Sequence, residues 1–273
     1  MGPLLIIGGR EAKRHSPKIL ERFVALCRAS ERSPCIGVVT TASADGEAAF
    51  RTYRDAFAPL GMAAKALDLA DRRQADLPEY ARALSAMAGV FFSGGDQLRI
   101  TSTLGGTRFH QALLAQRELG LVIAGTSAGA SMMSDVMIVG GADEREPARN
   151  TVHLAAGMGF WPGSVIDQHF SQRGRIGRLL AALAQNPEIL AIGIDEDTAI
   201  ELQARPPTFT VIGTNTVTVL DGRAITATNA SESSPDQPLA LVGVQLHVLA
   251  PGWGYDYQRR LPLSPAVESW LPF

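Results

Sequence analysis

Short apolar runs alternate with longer stretches in which apolar positions recur every three or four residues. Leu4 to Ile7, Cys35 to Thr40, Ala66 to Leu69, Gly89 to Phe92, Leu121 to Ala124 and Ile192 to Ile194 are compact runs, of the length and make-up of strands buried on both faces. Between them the period lengthens. In Pro17 to Ala29, the residues Ile19, Phe23 and Leu26 stand four and three apart, which predicts a helix with one buried face. Pro78 to Met87 predicts another, opened by a proline that the first helical turn tolerates. This alternation predicts an α/β fold with a mainly parallel sheet and helices on both faces.

The pattern changes in the last third. Ala199 to Leu202, Phe209 to Ile212 and Thr216 to Leu220 are short strand candidates separated by turn residues such as Pro206-Pro207 and Asp221-Gly222. They are expected as antiparallel additions to the same sheet. Thr226 to Pro238 is a polar loop, Val242 to Leu249 a late strand, and the tail from Pro251 carries two of the three tryptophans. No internal repeat or linker interrupts the chain, so residues 1–273 read as one domain.

Composition narrows the partners. Hydrophobic residues make up 46% and charged residues 19%, a globular balance rather than a disordered one. The 25 basic and 27 acidic side chains give a formal net charge of -2, unlike the basic surface a nucleic-acid binder needs. No run approaches the roughly 18 apolar residues of a membrane span, and Met1 leads directly into a short strand-like run, not a secretory signal. Cys27 and Cys35 have neither metal-site nor disulfide-framework spacing. A cytoplasmic protein without metal or cofactor is expected.

The sharpest chemical signal is Gly125-Thr126-Ser127-Ala128-Gly129, directly after the strand Leu121 to Ala124. G-x-S-x-G in a strand–turn–helix setting places a serine on a tight turn, its hydroxyl exposed and the next backbone N–H facing an oxyanion. Such a serine needs a base, and the base an orienting acid. Of the five histidines, His247 lies in an apolar strand, His15 in a charged loop, His110 at a helix start and His153 between apolar residues. His169 alone sits in a polar neighbourhood, Asp167-Gln168-His169-Phe170-Ser171, and is the candidate base; Ser171 is the expected cap of the helix after it. The acids Asp195, Glu196 and Asp197 follow the strand ending at Ile194, the edge where open α/β sheets place their sites. The order serine, histidine, acid departs from that of ordinary α/β-hydrolases, serine, acid, histidine. A different serine hydrolase fold is expected.

Two further segments qualify. Ser93-Gly94-Gly95-Asp96-Gln97 follows a strand, and its glycines let backbone N–H groups approach a ligand, as half of an oxyanion hole whose other half is the Ala128 N–H. Gln97 could orient a substrate there; the plainer reading is a turn capped by Asp96. Gln172 to Arg178 carries Arg173, Arg175 and Arg178 beside the candidate base. Arg175 and Arg178 share a helix face, and Ile176, Leu179, Leu180 and Leu183 form the expected apolar stripe. Such a run is ordinarily a solvated face, but beside a hydrolytic centre it suits a substrate bearing carboxylates.

Together, GTSAGA at 125–130, FFSGGDQ at 91–97, DQHFSQRGRIGRL at 167–179 and GIDEDTA at 193–199 resemble the cyanophycinases, in the family of serine peptidases that includes peptidase E. The resemblance spans most of the chain. It implies a flavodoxin-like, class I glutamine amidotransferase-like fold and a homodimer. The implied reaction releases β-Asp-Arg dipeptides from cyanophycin, a poly-aspartate carrying arginine on its β-carboxyls. It implies Ser127 as nucleophile, His169 as base, Glu196 as the acid, and Gly95 and Ala128 as oxyanion donors. It implies Gln97, Asp167, Gln168, Arg173, Arg175 and Arg178 as substrate-pocket positions. The group that would hold the substrate guanidinium stays open among Asp167, Asp143, Glu144 and Glu146. The rivals are an aspartyl dipeptidase of the peptidase E type, an isoaspartyl peptidase, and a catalytically silent binding module of the same fold.

Overall fold

The computed structural model describes residues 1–265, apart from 142, 144 and 145. Strands and helices alternate through the first half: β1 (Leu4–Ile7), α1 (Lys18–Ala29), β2 (Cys35–Val39), α2 (Gly46–Phe57), β3 (Ala63–Leu67), α3 (Arg72–Ala75), α4 (Pro78–Ala83), β4 (Gly89–Phe92), α5 (Gln97–Leu104), α6 (Arg108–Glu118), β5 (Val122–Thr126) and α7 (Ala128–Ser131). The five strands pair in parallel in the order β3-β2-β4-β5-β1. The inner strands β1, β4 and β5 are buried along their whole length, which is why each reads as an unbroken apolar run.

Successive side chains take opposite faces of the sheet. Leu5, Ile7, Ile36, Val38 and Phe91 pack against Phe23 and Val24 of α1 and Tyr53 and Phe57 of α2. Leu4, Ile6, Val90, Phe92 and Ile123 meet Ile100 and Leu104 of α5 and Phe109 and Leu113 of α6. Helices therefore cover both faces, as the alternation predicted. Asp45, Asp96 and Thr107 cap α2, α5 and α6, each side chain accepting a first-turn backbone N–H.

The second half contains β6 (Val136–Gly141), β7 (Val152–Ala156), β8 (Ser164–Gln168), α8 (Ile176–Gln185), β9 (Leu190–Ile194), β10 (Thr198–Gln203), β11 (Thr208–Gly213), β12 (Val217–Asp221), β13 (Ala227–Thr228), β14 (Leu241–Val242), β15 (Gln245–Leu249), β16 (Gly254–Asp256) and β17 (Leu261–Leu263). β10 pairs antiparallel with β1 and is followed outward by β11, β16 and β17, completing a nine-stranded sheet. β8 and β9 run parallel in a separate four-stranded sheet of order β15-β12-β9-β8. β6 and β7 form a hairpin.

Several expectations are corrected here. The strands containing Ile192 to Ile194 and Thr216 to Leu220 belong to the second sheet. The turn Asp195–Asp197, with Asp197 at φ 47, carries the chain from β9 across to β10, and β10 takes the place beside β1. The third strand covers Ala63–Leu67, short of Leu69. The helix expected over Pro78 to Met87 tightens into a 3₁₀ turn at Leu84–Ala86. The late strand splits at Gly243, which has φ +92. Ser171 caps no helix: it opens a single 3₁₀ turn, Ser171–Arg173, and α8 begins only at Ile176. Ile176 is exposed while Leu179 and Leu183 are buried, so the apolar stripe of α8 starts one turn later than expected. Trp253 packs against the core; Trp270 lies outside the described residues. No helix among the described residues is long and apolar enough to cross a membrane.

Candidate active site

Ser127 stands between β5 and α7 at φ 53 and ψ -112, a backbone conformation that non-glycine residues rarely take. The neighbours hold it there. Its N–H donates to the Ile7 carbonyl at 3.0 Å, and its carbonyl accepts from Ala130 and Ser131. Close packing requires small residues around it: a Cβ on Gly129 would lie 2.5 Å from the Phe92 carbonyl oxygen. The loop after β4 runs alongside. A Cβ on Gly94 would stand 3.3 Å from Ser127 Cβ, and exposed Gly95 follows at φ +142. Asp96 is the helix cap that the plainer reading of this loop expected.

His169 follows β8, also at positive φ, and its N–H donates to the Gly8 carbonyl at 2.8 Å. Its Nε2 lies 3.0 Å from Ser127 Oγ, and its Nδ1 lies 2.7 Å from Glu196 Oε1. With Nδ1–H donating to the carboxylate, Nε2 is left to accept the serine proton. The Ser127 hydroxyl also lies 3.3 Å from Gln168 Oε1. Gly9 makes the ring's position possible: a Cβ there would sit 2.3 Å from His169 Cε1, and its φ of +109 suits glycine alone. Burial, with the positive Arg173 and Arg175, pushes the His169 pKa down against the opposing hydrogen bond to Glu196.

The three acids in the turn after β9 have separate jobs. Asp195 accepts from Ser171 N–H and from the Thr216 N–H and hydroxyl. Asp197 accepts from Ala12 N–H and the Thr214 hydroxyl. Only Glu196 meets the histidine. Its own N–H donates to Gln172 Oε1 at 3.0 Å, its carbonyl accepts from Asn215, and Arg10 Nε lies 3.3 Å from its Oε1. Arg10, Gln172 and Asn215 were not singled out from the sequence. The local signal that could have found Arg10 is the glycine pair Gly8-Gly9 before it, since Gly9 lets the loop after β1 lie against the imidazole.

The arginine run differs from a solvated face. Arg175 and Arg178 are both 5% exposed. Arg178 Nε donates to Asp167 Oδ2 at 2.6 Å, and its Nη2 bonds the other oxygen of the same carboxylate, a two-point pairing. Arg175 donates to the Gln168 carbonyl at 2.6 Å and to Asp143 Oδ1 at 2.8 Å; Arg178 reaches the same Asp143 oxygen at 3.2 Å. Burial pushes the Arg175 pKa down, with Asp167 the main opposing influence. Arg173 alone of the three is exposed. Gln97, expected to face a substrate, instead donates through Nε2 to the Ile138 carbonyl of β6 at 2.8 Å. Glu146 is exposed, and Glu144 lies outside the described residues.

The other histidines stand apart. His15 and His153 are exposed, and His247 lies on the edge strand β15 against Tyr255. His110 bonds the Met158 carbonyl. Among the described residues, no group of three or more His, Cys, Asp or Glu side chains could hold a metal ion. The arrangement at 127, 169 and 196 has the connectivity for nucleophilic acyl transfer: a hydroxyl, a base within hydrogen-bond reach and a carboxylate that orients the base.

Comparison with known proteins points the same way. The sequence model of peptidase family S51 matches residues 4–206. A curated cyanophycinase of Geminocystis herdmanii (strain PCC 6308) is 37% identical over 267 residues, covering 97% of each chain. One from Trichormus variabilis (strain ATCC 29413 / PCC 7937) is 37% identical over 268 residues, 97% of this chain and 88% of that one. The crystal structure of a peptidase from an acI-B1 Actinobacterium superposes with a TM-score of 0.67 at 23% identity, covering 92% of this chain and 97% of that one. The fold is thus an α/β fold with a mainly parallel central sheet, shared with that peptidase. By the family match and by the relatives that align along nearly its whole length, the chain belongs to peptidase family S51.

Proposed function

We propose that this chain is a serine exopeptidase of the cyanophycinase type, releasing β-Asp-Arg dipeptides from cyanophycin. The observation that carries the reading is the hydrogen-bonded line Ser127–His169–Glu196 at 3.0 and 2.7 Å, in a chain 37% identical to curated cyanophycinases. Ser127 Oγ attacks the backbone carbonyl while His169 Nε2 takes its proton. The N–H groups of Gly95 and Ala128 receive the negative oxygen of the tetrahedral intermediate. The carbon–nitrogen bond breaks, and the leaving amine takes the proton back from His169. Water, deprotonated by His169, then hydrolyses the acyl-enzyme. Glu196 keeps the imidazole in the tautomer each step needs.

In this reading the exposed Arg173 and the buried Gln168, 3.3 Å from the Ser127 hydroxyl, line the pocket, and Gln97 anchors β6 beside it. Asp167, Arg175 and Arg178 form its charged floor. Asp143, whose side chain is 39% exposed and already faces two guanidinium groups, is the strongest candidate to exchange partners with the substrate. We further assign the fold to the class I glutamine amidotransferase-like group, supported by the serine elbow after β5 and the strand order β3-β2-β4-β5-β1. A cytoplasmic homodimer completes the proposal, and sedimentation tests the dimer.

The decisive experiment compares wild type with Ser127→Ala for β-Asp-Arg release from purified cyanophycin. Dipeptide from wild type alone supports both substrate and nucleophile. Cleavage of Asp-X or other β-aspartyl dipeptides instead would favour the peptidase E type, and no acylation of Ser127 by any substrate would favour a silent binding module.

A further inference from the structure

Glu11 is an interior carboxylate that the reaction above does not use. Its side chain has no solvent exposure. Oε2 accepts from the Thr126 hydroxyl at 2.6 Å, Oε1 accepts from the Tyr53 hydroxyl at 2.8 Å, and Lys13 Nζ lies 3.1 Å from Oε1. Burial and the adjacent Glu11 carboxylate push the Tyr53 pKa well above its ordinary value, so that this phenol remains a donor. A buried carboxylate is unfavourable unless its oxygens are paired, and apolar side chains often fill such a space at least as well. Here both carboxylate oxygens are paired, and one of them grips the residue immediately before Ser127.

That grip falls where the backbone needs it. Residues in sparsely populated conformations persist only when their surroundings over-determine them. On the N-terminal side of the elbow, two fixed points are the Ser127 N–H on the Ile7 carbonyl and the Thr126 hydroxyl on Glu11. Both partners belong to one stretch of chain, Ile7 to Ala12. The same stretch touches the other two members of the line. The Gly8 carbonyl accepts from His169 N–H, Gly9 lies under the imidazole, Arg10 reaches Glu196, and Ala12 N–H donates to Asp197. Ser127, His169 and Glu196 follow three different strands, and this short loop contacts the surroundings of all three.

We propose that Glu11 is a positioning residue, which holds the Thr126 hydroxyl and so keeps the Ser127 elbow in register with His169 and Glu196. The proposal rests on the reading of Ser127 as nucleophile. It differs from a purely structural role in predicting which of the two hydroxyl contacts of Glu11 matters for reactivity.

The test measures the rate at which a fluorophosphonate probe captures Ser127, together with kcat and KM for dipeptide release. Wild type is compared with Thr126→Val, Glu11→Gln and Tyr53→Phe. Thr126→Val keeps the side-chain shape and removes the donor; capture and kcat are expected to fall about ten- to hundredfold with KM within about threefold, the scale on which small displacements of a reacting group act. Glu11→Gln keeps an oxygen for the Thr126 hydroxyl and is expected to show only a small part of the loss seen in Thr126→Val. Tyr53→Phe removes the other hydrogen bond of the same carboxylate, lowers the melting temperature and leaves capture at the wild-type rate. If Thr126→Val fails to fold, Thr126→Ser against Thr126→Ala makes the same comparison, with the hydroxyl-bearing variant expected to retain the rate. Wild-type capture in Thr126→Val, or an equal loss in Tyr53→Phe, overturns the positioning role. A wild type that releases dipeptide yet is never captured at Ser127 overturns the nucleophile reading itself, and the proposal with it.

Discussion

His169 sits where its neutral form is favoured. Burial is the main reason its pKa lies below the ordinary imidazole value of 6.5, and Arg173 and Arg175 add to the effect. A general base works only when unprotonated, so the acid limb of kcat/KM is expected below that value. Activity should therefore persist to lower pH than a solvent-exposed histidine would allow. Arg173→Gln removes one lowering influence and should move the limb upward. A wild-type limb at or above 6.5, or a downward move in the variant, would contradict the assignment of the base. Gly9 offers a second test at this scale. Gly9→Ala places a methyl group 2.3 Å from His169 Cε1 at a φ of +109. The imidazole must shift, and kcat should fall by on the order of 100-fold, as misplaced catalytic groups do. Steady-state kinetics beside a melting curve separate this from simple unfolding.

Among the elements, β8 and α8 carry the clearest energetic claim. Asp167 on β8 is fully buried and pairs at two points with Arg178 on α8. Asp167→Ala leaves a buried guanidinium short of its partner and is expected to destabilise the fold by about 3–5 kcal/mol. Replacing both residues by apolar ones of similar volume should recover much of the loss, which urea denaturation measures; equal destabilisation by the double variant would mean that the pair is not the reason. The same two elements mark where the sequence stops being readable. Unbroken apolar runs revealed β1, β4 and β5 because those strands are buried on both faces. β8 went unseen because Ser164, Asp167 and Gln168 are polar and yet buried. The arginines looked like surface residues because one of their partners, Asp143, is 32 positions away from Arg175. Ser127 was legible from a local motif, and His169 from its polar neighbours. The choice among Asp195, Glu196 and Asp197 was not legible from spacing, since it depends on how one tight turn aims each side chain. Only the family resemblance singled out Glu196.

The molecule as a whole joins two sheets at the candidate site. Ser127 follows β5 of the nine-stranded sheet, while His169 and Glu196 follow β8 and β9 of the four-stranded one. If the sheets could separate, activity would be lost while each persisted. The packing argues against that. Ile192, Ile194, Val217 and Val219 of the smaller sheet belong to one apolar cluster with Ile6, Ile123, Ile200 and Val211 of the larger. The opposite side of the smaller sheet is covered by Leu179 and Leu183 of α8. Opening the junction would expose much of this cluster to water, at about 25 cal/mol for each Å² of apolar surface. The two sheets should therefore unfold as one unit. Peptidase activity, far-UV circular dichroism and tryptophan fluorescence are expected to share one urea midpoint. An earlier loss of activity with the dichroism intact would show instead that the sheet junction opens by itself, making it a local weak point.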